Sequence, residues 1–280
     1  MNLFALLCRR SGVTLCKVAS ETPLSFHYPF LVADEFTLSS AYHLEEKEAL
    51  SGGHFVDRYL FWTPTKIFDV LERYLSGDSL SPPRFEVGFV SSGIWLRRRM
   101  GQKEAVPGYF ASEEALLEAL RDYLEGRNIR LKIYLHPLER RNPDHYREAV
   151  AYYRDFFGDF PVEVGDGETN TREHFEEVDI CVAAASTTLI ERLFFGFKAL
   201  YAPFFIPTFP LPGTTLARIS AKDRETFFKL LDRWIGVPAQ TFFAENALEK
   251  FHHTHFGRIV DRYLASRGEK AHIPEVRSRP

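Results

Sequence analysis

The stretch VDICVAAASTTLIERLFFGFKALYAPF, residues 178–204, decides the fold. An apolar run from Ile180 to Ala185 breaks at Ser186, Thr187 and Thr188. A helical pattern follows and carries Glu191 in its first turn; Gly196 closes it, and a second apolar run, Ala199 to Ala202, stops at Pro203. Strand, polar turn, helix, strand is a βαβ unit. Its turn lies where a strand's carboxyl end meets a helix's amino end, the crevice that receives ligands in open parallel sheets. Free N–H groups and the positive end of the helix dipole favour an anion there. Thr188 to Glu191 also has the spacing of an ordinary capping box, so the turn by itself keeps a purely structural reading.

Outward from this unit, helix and strand patterns alternate, which predicts an α/β fold with a mainly parallel sheet. Strands are expected at Val13–Val18, Phe55–Trp62, Phe85–Val90, Ile129–Leu135 and Val162–Val164, with a short apolar segment within Phe30–Ser40. Helices are expected at Tyr42–Leu50, Pro64–Leu75 (N-cap Thr63), Ser112–Gly126 (N-cap Ser112), Asp144–Phe157, Thr171–Glu177, Ala221–Ile235, Ala239–His253 and Phe256–Ser266. Gly77 to Arg84, rich in Pro, Ser and Gly, reads as a linker. The expectation is therefore a smaller, partial α/β domain over residues 1–80, a Rossmann-like parallel-sheet domain with a helical carboxyl-terminal segment over 81–270, and a polar tail over 271–280. The first part has too few strands for a full Rossmann-like domain, so it is expected either to pack onto the larger domain or to lack an upstream portion.

Composition narrows the function classes. A hydrophobic content of 45%, a charged content of 26% and a net charge of −3 suit an ordinary globular protein and argue against a general nucleic-acid binder. Cys8, Cys16 and Cys181 have no paired spacing, so neither a disulfide framework nor a structural zinc site is expected. No apolar run reaches the roughly 18–20 residues that span a bilayer, and the opening MNLFALLCRRSG is a poor secretory signal. A cytoplasmic location follows, with peripheral association with the inner face of a membrane as a variant.

Three strand ends carry polar residues together. Ser91-Ser92-Gly93 follows the Phe85–Val90 strand, with Trp95 and Arg97-Arg98-Arg99 beyond it; such a turn lets backbone N–H groups approach a phosphate while guanidiniums add bidentate contacts. His136-Pro137 ends the Ile129 strand, where an imidazole can donate to a phosphate or a base and the proline fixes the turn. The adjoining Glu139-Arg140-Arg141 reads as solvated. Ser186, Thr187 and Thr188 complete the set, with Glu191 placed for a ribose diol. Each motif has a structural reading as a turn, a strand-end hydrogen-bonder or a cap; their coincidence points to a nucleotide cleft. His252-His253-Thr254-His255 lacks a supporting carboxylate or cysteine and reads as a solvated cluster. Arg218 and Lys222, after the apolar-aromatic loop Pro203–Gly213, read first as surface residues, with reach to a donor's carboxylate or phosphate as the alternative, and that loop is placed to cover a ligand or an acceptor lipid.

The YLHP at 134–137 and ASTTLIE at 185–191 resemble the nucleotide-binding half of GT-B-type glycosyltransferases. They are most similar to bacterial enzymes that use CMP-activated acidic sugars, the sialyltransferase, polysialyltransferase and Kdo-transferase group. The resemblance covers residues 85–205, and residues 13–75 loosely. It implies that His136, Pro137, Ser186 and Thr187 hold a CMP moiety, that Glu191 binds the ribose, and that Ser91, Ser92 and Gly93 form the matching first-strand loop. It implies transfer of a sugar from a nucleotide-sugar donor to a glycan or glycolipid of the cell surface, with a catalytic base in the amino-terminal part; no cofactor or metal is expected, because helix N–H groups, His136 and basic residues can supply the electrostatic stabilisation. Glu21, Asp34 and Glu35 are the acidic candidates, the last two at what reads as a structural turn. The HP pattern is also similar to CDP-glycerol phosphotransferases. The partial first domain leaves a non-catalytic nucleotide-binding fragment or subunit as a further alternative.

Overall fold

The computed structural model of the protein describes residues 7–8, 10–18, 31–38, 40–49, 54–61, 70, 73–74, 81–168 and 170–255. The expected helices at 64–75 and 256–266, the tail, and Glu21 lie outside the described residues or nearly so. Within them the chain is α/β, built on two parallel sheets.

The smaller sheet contains β1 (Cys16–Val18), β2 (Leu31–Leu38) and β3 (His54–Phe61), in that spatial order and all parallel. Helix α1 (Ala41–Ala49) connects β2 and β3 in sequence. The larger sheet has the order β6-β5-β4-β7-β8, from β4 (Phe85–Val90), β5 (Leu131–Tyr134), β6 (Val162–Val164), β7 (Val178–Ala183) and β8 (Lys198–Tyr201). The chain runs outward from central β4 through β5 to β6, then returns to lay β7 against the other side of β4. The connections therefore reverse between β4 and β7, and the crevice beyond those strands' carboxyl ends is the topological switch point.

The central strands are apolar on both faces because both faces are covered. Val87, Phe89, Ile180, Cys181 and Val182 are wholly buried. Gly88 allows close approach: a Cβ there would lie 2.8 Å from Cys181 Sγ and 3.0 Å from both Tyr134 and Val178.

Helix α2 (Ile94–Arg99) follows β4, and α3 (Tyr109–Leu124) packs Leu116, Leu117 and Leu120 into the core. The helix is capped four residues earlier than the expected Ser112, at Gly108, because the Ser112 hydroxyl is engaged elsewhere: it accepts the Phe205 N–H at 2.8 Å. A one-turn helix α4 (Pro137–Arg140) and α5 (Pro143–Phe157) follow β5, the latter capped by Asn142. A 3₁₀ segment, Thr171–Glu177, leads into β7, and α6 (Thr187–Phe194) links β7 to β8.

Beyond β8, α7 (Arg224–Trp234) is capped by Asp223. Lys198 ties β8 to it: the buried ammonium pairs with Asp179 at 2.8 Å and donates to the Trp234 and Val237 carbonyls. Helix α8 spans Ala239–Asn246, shorter than the expected run to His253. Ala247 takes the left-handed conformation (φ 55°), ending the helix before a 3₁₀ turn at Glu249–Phe251. Among the described residues no helix is long and apolar enough to cross a membrane.

Candidate functional site

The polar turns after β4, β5 and β7 meet at the switch point, and buried hydrogen bonds knit them together. After β4, Gly93 adopts φ 68°, a left-handed conformation that a side chain would strain, and this bends the chain into α2. The turn does not offer its amides to a ligand. Ser92 N–H and Ile94 N–H donate to the two oxygens of Glu113, at 2.9 and 3.3 Å, and Gly93 N–H donates to Ser91 Oγ at 2.8 Å. The Glu113 carboxyl itself sits where an open turn would receive a phosphate.

The β4 turn then reaches its two neighbours through tyrosines. Tyr109 Oη is 2.6 Å from Ser92 Oγ and 3.0 Å from the Ala185 carbonyl after β7. Tyr153 Oη is 2.7 Å from Ser91 Oγ and 3.0 Å from Glu139 Oε1. Glu139, expected to be solvated, is wholly buried because three donors converge on it: Tyr153, the Trp95 indole N–H at 2.5 Å and the His136 N–H at 2.7 Å.

His136 is the N-cap of α4, with Pro137 at the first helical position. Its Nδ1 accepts the Leu138 N–H at 3.0 Å. Burial, and then the guanidiniums of Arg97, Arg141 and Arg140, push its pKa down to about 4. The ring is therefore neutral at physiological pH, and three cations from two elements act on it. That positive field favours an anion. Arg97 is fixed by its Nε–H bond to the Ser92 carbonyl at 2.9 Å.

After β7, Ser186 caps α6, its Oγ accepting the Thr188 N–H at 3.3 Å. The expected Thr188–Glu191 box does not form, since the cap is Ser186, two residues earlier, and Glu191 lies beyond the first turn. Ser186 to Thr188 are half-buried at the crevice. Tyr201 Oη donates to the Ser186 carbonyl and holds the turn against β8. Glu191 is buried at 1% exposure, and both its oxygens receive Arg172, at 2.6 and 2.9 Å. A ribose diol would have to share that carboxylate with the guanidinium.

Beside the β5 end lies a polar cavity of about 160 Å³, lined by Leu135, Arg140, Gly165, Asp166, Thr171 and His174 among others. It adjoins His136 through Leu135 and Arg140.

The acidic candidates in the first part fare differently from expectation. Asp34 and Glu35 are in the middle of β2 and not in a turn. Asp34 Oδ2 accepts the Leu15 N–H at 2.8 Å, and Leu15 O accepts the amides of both, so the pair helps to dock β1 on β2. Glu21 is outside the described residues. The loop after β8 is tied down: Lys222 donates to the Ile206 carbonyl at 3.1 Å and to that of Phe209, and Phe205 is 57% exposed. Arg218 is exposed. His252 bonds Thr254 through Nδ1 and packs against His253 with ring centres 4.2 Å apart.

Glu113, Tyr109, Tyr153 and Arg172 were not singled out by sequence, and Glu139 was read only as solvated. A signal existed for Glu113, which shares the spacing of the buried Leu116, Leu117 and Leu120 and so places an acid on an apolar face. Nothing comparable marks Tyr153, one aromatic among many.

No family model matches the chain, and no curated protein matches it. Solved structures similar to it include MurG of Acinetobacter baumannii, at 16% identity over 92% of this chain and 68% of that one, TM-score 0.42. An MnaA–UDP structure of S. aureus has 13% identity, 95% and 72% coverage and a TM-score of 0.48. A mutant O-GlcNAc transferase of Thermobaculum terrenum has 12% identity, 93% and 54% coverage and a TM-score of 0.46. With TM-scores below 0.5, none of these likenesses assigns a family.

Proposed function

We propose that the protein is a GT-B-type glycosyltransferase that holds a nucleotide-sugar donor in the crevice beyond β4, β5 and β7. One observation carries the reading: at the β5 end, beside the switch point of the larger sheet, His136 caps α4 through Nδ1 and is acted on by the charges of Arg97, Arg141 and Arg140. A neutral imidazole hydrogen-bonds a phosphate without a counter-charge of its own, and the guanidiniums supply the charge. Ser186, Thr187 and Thr188 add hydroxyl donors at the β7 turn. Together these groups would stabilise charge that develops on a departing nucleotide phosphate. In this reading Ser91, Ser92 and Gly93 shape the wall of the crevice, and Glu191 meets the ribose beside Arg172. The donor is proposed as a CMP-activated acidic sugar, the acceptor as a surface glycan or glycolipid, and the base as a carboxylate of the amino-terminal part. The similarity of YLHP and ASTTLIE to the CMP-sugar enzymes favours CMP.

Thermal-shift and calorimetric titration with CMP, CDP and UDP tests the reading. CMP should stabilise the protein, and His136→Ala and Ser186→Ala should each weaken its binding about tenfold, the loss of a hydrogen bond to a charged group. Indifference to all three nucleotides would remove the cleft. Turnover of a CMP-sugar with an added glycan then separates an enzyme from a nucleotide-binding subunit.

A further inference from the structure

We infer that Glu139 is a positioning residue, holding His136 in the one tautomer that presents an Nε2–H donor to an anion in the crevice. Only the identity of that anion rests on the nucleotide-sugar reading. The tautomer and its dependence on Glu139 are properties of the free protein.

Geometry carries the inference. A one-turn helix needs only a modest cap, and an acid in its third position would normally face water. Glu139 is instead wholly buried and receives donors from three separate elements: the His136 N–H, the Trp95 indole of α2 and the Tyr153 hydroxyl of α5. The β4 turn closes over it, since a Cβ at Gly93 would lie 3.4 Å from Glu139 Cγ. These contacts fix the backbone at His136, which brings its Nδ1 to 3.0 Å from the Leu138 N–H. An accepting Nδ1 carries a lone pair, so the single proton of the neutral ring is on Nε2. Nε2 has no hydrogen-bond partner among the described residues, which leaves it for a ligand. The charges that act on the ring are the guanidiniums of Arg97 from α2 and of Arg140 and Arg141 at α4, and all three disfavour a second ring proton.

Removing the Glu139 carboxylate would release the His136 backbone and with it the Nδ1 acceptor geometry. The ring would then sample both tautomers, and only part of the population would present the donor.

Long-range ¹H–¹⁵N correlation spectra of the full chain test this, with the His136 ring assigned by comparison with His136→Ala. Wild type should show the Nε2–H tautomer alone. Glu139→Gln, which keeps one acceptor oxygen, should move the ring shifts part-way, and Glu139→Ala should give averaged shifts of both tautomers. CMP affinity should fall about tenfold in Glu139→Ala, and His136→Ala combined with it should lose little more. A wild-type ring protonated on Nδ1 would overturn the inference, as would ring shifts unmoved in the Glu139 variants. If Glu139→Ala does not fold, Glu139→Gln decides on the same criterion. If the tautomer follows Glu139 while no nucleotide binds wild type, the positioning role stands and the nucleotide reading falls.

Discussion

Glu191 and Arg172 show how a residue's surroundings set its first duty. The carboxylate is buried and both oxygens meet one guanidinium that is itself 16% exposed on its side chain. Breaking such a pair from the cationic side leaves a buried carboxylate without its guanidinium, at a cost of about 3 kcal/mol. Arg172→Ala should lose about that much in urea unfolding. Glu191→Gln should lose less, because the guanidinium it leaves is more exposed than the carboxylate and the amide keeps an acceptor oxygen for it. Equal losses would show that burial of the remaining charge does not set the cost. Gly88 is a purely steric case. Gly88→Ala forces a Cβ onto Cys181, Tyr134 and Val178 in the sheet centre and should cost about 1–3 kcal/mol by overpacking. A third case is electrostatic. Burial, and after it the nearby Glu139, push the Glu113 carboxyl up from 4.5 to about 8. The folded chain keeps a proton that the unfolded chain has released, so this group makes stability fall as pH rises from about 4.5 to about 8. His136 works the other way, but only between about 4 and 6.5, where its unfolded form still takes up a proton. From pH 6.5 to 8 the Glu113 contribution is therefore exposed, with a limit of about 1.4 kcal/mol per pH unit for one proton. Glu113→Gln should flatten that slope whatever it does to absolute stability; an unchanged slope would assign the proton elsewhere.

At the scale of elements, periodicity was legible where packing and local preference agree. The βαβ unit at 178–204 formed as strand, turn and helix because an apolar run, a hydroxyl cap and Gly196 all point to one structure. Helix α5 matched for the same reason, with Asn142 and Pro143 at its start and Gly158 at its end. The misplaced starts, at Ser112 and at Thr188, arose where another element claims a hydroxyl or where the earlier of several capping residues prevails. Ser112 is the clearer instance, since its Oγ anchors the loop after β8, and Gly108 leaves room for the Phe205 carbonyl, which a Cβ would meet at 1.9 Å. Ser112→Ala should cost about 1 kcal/mol and speed hydrogen exchange at the Phe205 amide by several-fold. Exchange unchanged from wild type would show that the loop is held by its other bonds alone.

For the whole molecule, docking of the smaller α/β part on the larger sheet depends on a few specific contacts. Glu45 of α1 accepts the Thr215 N–H at 2.8 Å and its hydroxyl at 2.5 Å, and pairs with Lys250. The Tyr42 hydroxyl accepts the Leu211 N–H at 3.1 Å, and Ala41 and Tyr42 share one buried apolar cluster with the large sheet. Glu45→Ala removes acceptors from three donors at once and should lower stability by about 2 kcal/mol in denaturant unfolding; a change within error would mean that apolar contact alone carries the docking. Sequence by itself determined the α/β alternation, the parallel series of strands and the polar strand ends at Ser91, His136 and Ser186, because those follow from local periodicity and turn chemistry. Only the tertiary structure decided what the polar ends do for one another. Glu113, Tyr109 and Tyr153 come from helices well removed in sequence from the turns they join, Glu139 from the one-turn helix that His136 caps, and their roles arise from burial: a carboxyl brought into the core must collect donors wherever the packed chain supplies them. The same burial turned the β4 turn inward to Glu113 and left His136, acted on by Arg97, Arg140 and Arg141, at the β5 end.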